Sequence, residues 1–130
     1  MKKVIKQTVT LGASPKRVYE ALIDEKKHAA FTRHPAKVSR TVGGAFTCYG
    51  GHLSGINVEL VPAKRIVQAW RTINWPKGVF SVATFSLAKA RGGKTRLSLT
   101  HVGVPAAHHK GISKGWRDFY WKPLGAFLEK

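Results

Sequence analysis

Between residues 45 and 102 the chain carries five runs of strand-forming residues with very little between them, and this spacing most limits what it can fold into. The runs are 45–49, 53–61, 65–73, 80–88 and 94–102. Gly50-Gly51, Pro62-Ala63-Lys64 and Gly92-Gly93 separate them as tight turns. A parallel connection needs a crossover of a dozen or more residues, and none of these gaps offers it. Consecutive strands are therefore expected to pair antiparallel, as a meander. Alternation sets the faces: Phe85 and Leu87 share one side, as do Leu97, Leu99 and His101.

Flanking segments complete the pattern. Residues 3–11 are rich in Val, Ile and Thr and read as a first strand, stopped by Gly12-Ala13-Ser14-Pro15. Ser14 suits a helix N-cap and Pro15 the first helical position. Val18, Tyr19, Leu22 and Ile23 then form the apolar stripe of a short helix. A second short helix is expected over 25–32, ended by Pro35. From residue 105 to 130 the period changes. Trp116, Phe119, Tyr120, Leu124, Phe127 and Leu128 recur at three and four, as on one face of a long helix, and Pro123 should kink it. The expected fold is α+β: a curved antiparallel sheet of about six or seven strands wrapped around a long C-terminal helix, with two short helices after strand 1. One domain over 1–130 accounts for the whole chain.

Charge and cysteine content narrow the partners. Lys plus Arg number 23 against 6 Asp plus Glu, a formal net charge of +17. Such a surface attracts anions, so non-specific polyanion or nucleic-acid binding is one expectation. The cations are spread along the chain, which argues against a basic arm. With Cys48 alone, no intramolecular disulfide can form; it reads as a small strand hydrophobe beside Tyr49. No run of residues is long and apolar enough for a membrane span. No signal core follows the charged start Met1-Lys2-Lys3, so a cytoplasmic location is expected.

The residues give little support to catalysis. Glu59 alternates with Asn57 and Val61 against Ile56, Val58 and Leu60; with the aliphatic face inward, Glu59 points out and pairs with Lys or Arg. His101 shares the interior face of Leu97 and Leu99, so its ring needs a partner: Tyr120, Trp116, a backbone carbonyl or a ligand oxygen. Adjacent His108-His109 diverge, and the six histidines lack the paired spacing of a zinc site, so no metal or other cofactor is expected. The Gly pairs lie between strands, where a phosphate loop does not sit, and no Gly-x-Ser-x-Gly elbow occurs. Most aromatics recur at core spacing, while Trp75 and Trp121 are placed at the surface or cavity rim.

Several short stretches resemble a known family, in order and over nearly the full length. They include Ala13-Ser14-Pro15 with Val18-Tyr19, Gly43-Gly44-Ala45-Phe46, Glu59-Leu60-Val61-Pro62, Trp70-Arg71, Trp75-Pro76, Thr100-His101 with Val104-Pro105, and Gly115-Trp116 with Tyr120. Together they resemble the START-like (helix-grip) superfamily, and within it the activator-of-Hsp90-ATPase-homologue-like family. The resemblance implies a sheet curled around one helix with a cavity for an apolar or aromatic small molecule. It also implies an Hsp90-type chaperone as a partner, and more distantly a cyclase- or lyase-type enzyme. Phe46, Trp70, Phe85, Leu99, His101, Trp116 and Tyr120 are the expected pocket wall, with His101 and Tyr120 orienting the ligand and no catalytic residue assigned.

Overall fold

The computed structural model describes residues 4–129. Lys3 and Lys130, at the outer ends of the first predicted strand and the last predicted helix, lie outside the described residues. Strand β1 (Val4–Leu11) leads into helices α1 (Pro15–Ile23) and α2 (Glu25–Thr32). Strands β2 (Lys37–Val38), β3 (Ala45–Cys48), β4 (Leu53–Val61), β5 (Arg65–Thr72), β6 (Ser81–Ala90) and β7 (Lys94–Val102) follow. All seven form one antiparallel sheet in the order β1-β7-β6-β5-β4-β3-β2. The C-terminal helix packs on its inner face. It comprises α3 (His109–Gly115), a π-helical turn (Trp116–Trp121) and α4 (Lys122–Leu128), with helical backbone at each junction.

Local chemistry explains the element ends. The Ser14 hydroxyl accepts from the Arg17 N–H at 3.3 Å, and Pro15 opens α1. Asp24 closes α1 through its backbone N–H and caps α2 through its carboxylate, which accepts from the Lys27 N–H at 3.0 Å. One residue thus turns the chain between two helices, and the predicted stripe Val18, Tyr19, Leu22 and Ile23 is buried. Strand β2 escapes sequence reading because two residues carry no period.

In β4 the predicted faces are reversed. Ile56 and Val58 are exposed, whereas Asn57 is fully buried. The Asn57 side-chain amide donates to the carbonyls of Ser39 (2.7 Å) and Thr41 (3.3 Å), and its oxygen accepts from the Gln68 amide (3.2 Å). This satisfied polar network holds the loop before β3 against the sheet, which an aliphatic residue could not do. A bulge at Val58, between the pairs Asn57↔Gln68 and Glu59↔Val67, then restores the register that brings Leu60 opposite Ile66. Glu59 pairs with Arg65 at 2.5 Å, as expected. Gly55 is required where it stands: a Cβ there would lie 1.8 Å from the Ala69 carbonyl oxygen and 2.7 Å from the Phe46 ring.

Candidate functional site

The helix meets the sheet through Trp116. Its ring lies 5.4 Å from Trp70, 5.5 Å from Phe85 and 4.9 Å from Tyr120. It also stacks on Trp121 at 5.5 Å, with planes 16° apart. In an α-helix, residues five apart point about 140° away from each other. The π-helical turn brings them into line, which buries Trp121 rather than leaving it at the surface. Trp75 is likewise buried, against Trp70 at 5.7 Å. The Arg71 guanidinium folds that loop back by donating to the carbonyls of Trp75 (2.9 Å), Pro76 (3.0 Å) and Val79 (3.3 Å).

A chain of hydrogen bonds orients Trp116. An indole N–H can only donate, so at 3.0 Å it makes His101 Nδ1 the acceptor. The neutral ring therefore carries its proton on Nε2, which donates to Ser81 Oγ at 2.7 Å, and the Ser81 hydroxyl donates to the Trp70 carbonyl at 2.8 Å. A second chain holds Tyr120. His28 Nδ1–H donates to the Leu22 carbonyl and Nε2 accepts from the Tyr120 hydroxyl, both at 3.0 Å. Beside it, burial pushes the Cys48 thiol up to about 12, so Cys48 stays protonated and serves as core.

Pro123 shapes the same region. It has no N–H for the Phe119 carbonyl four residues earlier. That carbonyl instead accepts from the Tyr49 hydroxyl. Tyr49 adopts φ 52°, an uncommon conformation for a bulky residue, and burial pushes its hydroxyl up to about 12.

These contacts leave a cleft of about 450 Å³ between the first half of the helix and the ends of β4 and β5. Tyr49, Leu53, Trp70, Ile112, Trp116 and Phe119 make an apolar wall, and His34, His52 and Thr72 bring polar atoms to it. The cleft is open because Gly111 and Gly115, four apart on one helix face, carry no side chains into it. A Cβ at Gly111 would meet nothing within 4 Å. A recess of about 300 Å³, lined by Phe31, Arg33, Pro123 and Phe127, lies beyond the Tyr49–Phe119 partition. Among the described residues, no carboxylate lines the cleft. Among the described residues, no three of His, Cys, Asp or Glu converge as metal ligands.

The family model described as "Activator of Hsp90 ATPase homolog 1-like protein" matches residues 12–129. The chain belongs to this family. It is 32% identical over 115 residues to the human activator of 90 kDa heat shock protein ATPase homolog 1, covering 88% of this chain and 34% of the human protein. A Dictyostelium discoideum homologue is 31% identical over 88% of this chain and 30% of its own. The chain therefore spans about a third of the length of these curated relatives. The crystal structure of an Hsp90 activator from Plasmodium falciparum superposes with a TM-score of 0.92 at 22% identity, covering 97% of this chain and 96% of that one; this likeness shows the fold. The helix-grip architecture expected for this member of the family is thus the one observed.

The seven expected wall residues divide. Trp70, Trp116 and Tyr120 line the open cleft. Phe46 and Phe85 face the interior between sheet and helix, where only about 10 Å³ remains, room for no more than a single water. Leu99 and His101 reach neither space. In the structure both His101 nitrogens are engaged, by Trp116 and Ser81, and the Tyr120 hydroxyl is bonded to His28. Both side chains position the wall. His34, Tyr49, His52 and Phe119 were missed. The Gly111-x-x-x-Gly115 spacing is the signal that could have found the cleft, since glycine weakens a helix by about 1 kcal/mol each and needs a reason.

The buried rings set a pH dependence. Burial lowers the His101 pKa to about 3, with a smaller contribution from His109, and burial lowers that of His28 against the opposing bond to Leu22. An unfolded histidine titrates near 6.5. Below that pH the unfolded chain binds protons that the folded one does not, so stability is complete above about 6.5 and falls with pH. The His101→Gln variant is expected to lose less stability than the parent between pH 6.5 and 5, by about 2 kcal/mol in urea unfolding. Parallel profiles would contradict the assignment.

Proposed function

We propose that this domain binds an aromatic or apolar small molecule in the cleft between Gly111, Gly115 and the ends of β4 and β5, without transforming it. The single observation that carries this reading is an apolar space of about 450 Å³ held open beside a core packed almost solid. Pockets of this size, largely apolar with a few polar atoms, suit small ligands. Tyr49, Trp70, Trp116 and Phe119 offer ring faces and edges, while His34 and His52 mark where a polar substituent sits. Phe46, Phe85, Leu99 and His101 support that wall from behind. The single buried thiol suits a reducing, cytoplasmic setting.

A second reading, a chaperone-associated role, is favoured by the relatives named as activators of the 90 kDa heat shock protein ATPase. The net charge of +17 favours a third, unspecific polyanion binding. Titrating a bacterial Hsp90 with the domain at low and at raised salt separates the two. Altered ATP turnover that persists at raised salt supports the chaperone role. Binding that disappears with salt and leaves turnover unchanged assigns the contact to charge.

For the cleft, the decisive pair is the parent chain and its Gly111→Leu/Gly115→Leu variant, titrated with naphthalene- and fatty-acid-type probes by NMR. The parent should shift at Leu53, Ile112 and the Trp70 indole. The variant, with the cleft filled and glycine removed from the helix, should bind at least about tenfold more weakly and be no less stable. Equal binding by both, or no shifts in the parent, would overturn the reading.

A further inference from the structure

A sheet with one covered face should present polar side chains on the other. The outer face here departs from this in a single register row. Val4 pairs with Val102, Val102 with Val82, Val82 with Ala69, Ala69 with Ile56, and Ile56 with Ala45. Six neighbouring strands thus place an apolar side chain side by side, a ridge about 24 Å long at the usual strand spacing. Val4, Val82, Val102 and Ile56 are 41–45% exposed, and Val58 adds a further 52% exposed side chain where it bulges from β4. The reversed facing of β4, imposed by buried Asn57, turns Ile56 outward and completes the row.

The rows beside it are different. On one side lie Lys6, Thr100, Thr84 and half-buried Val67; on the other Phe80, Arg71, Ser54, Thr47 and Lys37, with Arg96 and Lys94 further along β7. The one carboxylate on this face, Glu59, is paired with Arg65. The remaining five acids belong to the helical layer: Glu20 on α1, Asp24 and Glu25 at the start of α2, Asp118 in the π-helical turn and Glu129 after α4. The outer face is therefore an apolar ridge within an almost purely cationic field. A second copy of the chain would bring like charges together, with +17 on each side. The row itself is built of Val, Ala and Ile, and the exposed aromatic beside it, Phe80, lies against the Arg71 guanidinium at 5.7 Å, whereas an interfacial surface presents free Trp, Phe and Leu.

We infer that the outer sheet face is a docking surface for an acidic protein segment. Its apolar side chains lie along the Val4–Val102–Val82–Ala69–Ile56 row, and its carboxylates meet Lys6, Lys37, Arg71 and Arg96. The inference does not rest on the cleft and holds whatever the cleft binds. The test uses the full chain with methyl-detected NMR and two synthetic probes: a twelve-residue peptide alternating Glu and Val, and an oligo-Glu peptide of equal charge. The Glu–Val peptide should shift the methyls of Val82, Val102 and Ile56 and bind at least about tenfold more tightly than oligo-Glu. A Val82→Thr/Ile56→Thr variant, which keeps β-branched strand formers at both sites, should fold as the parent does and lose about tenfold in affinity. Equal affinity for oligo-Glu, an unaffected variant, or shifts of these methyls by anionic phosphatidylglycerol vesicles but not by the peptide would overturn the proposal. So would concentration-dependent shifts of the same methyls without any probe, which would assign the face to self-association.

Discussion

One hydrogen bond ties the two layers together: the Trp116 indole N–H, donated to His101 Nδ1 at 3.0 Å. The bond is fully buried, so either group left alone would cost about 1–3 kcal/mol of desolvation. It continues through Ser81 to the Trp70 carbonyl and so joins β7, β6 and β5 to the helix. Because each donor and acceptor in the chain has one available role, the His101 tautomer follows from the partners alone. Trp70 and Trp116 are also the inner wall of the cleft. The contact that orders the core therefore shapes the space proposed to hold a ligand.

The helix pays for burying so many rings by abandoning the α-helical repeat for one turn. With Trp116 and Trp121 stacked five residues apart, and Tyr120 turned towards His28, three large aromatics enter the core from six consecutive residues. Pro123 ends that turn and leaves the Phe119 carbonyl for Tyr49. Tyr49 and Phe119 then stand as the partition between the cleft and the neighbouring recess. At the first half of the helix the opposite choice is made. Gly111 and Gly115 withdraw side chains where the second half adds them, so one helix is packed solid at one end and open at the other.

Much of the fold was legible because it is written in local signals. Gly pairs, Pro62 and the alternation in β6 and β7 point to an antiparallel meander, and Ser14-Pro15 marks a helix start. Where those signals failed, a tertiary interaction had overridden them. In β4 the buried amide network of Asn57 outweighs the aliphatic pattern of Ile56 and Val58. In the long helix the π-helical turn defeats a reading based on a period of 3.6, which is why Trp121 was misplaced. The cleft was half legible. Trp70, Trp116 and Tyr120 could be read as interior aromatics, but the open space depends on glycines and on loop residues Tyr49 and His52, whose sequence neighbours carry no period. His101 was recognised as interior and Trp116 was among its foreseen partners, but Ser81 was not, and the pattern of donors that engages both ring nitrogens is visible only in three dimensions.

The central claim is that a neutral His101, protonated on Nε2, accepts from Trp116 and thereby fixes helix to sheet. Nitrogen-15 NMR of the His101 ring and the Trp116 indole tests it directly. The account predicts an unprotonated Nδ1, a protonated Nε2, no titration of the ring between pH 7 and 5, and an indole proton that exchanges slowly with solvent. A ring that titrates near pH 6.5, a proton on Nδ1, or a rapidly exchanging Trp116 indole would contradict it.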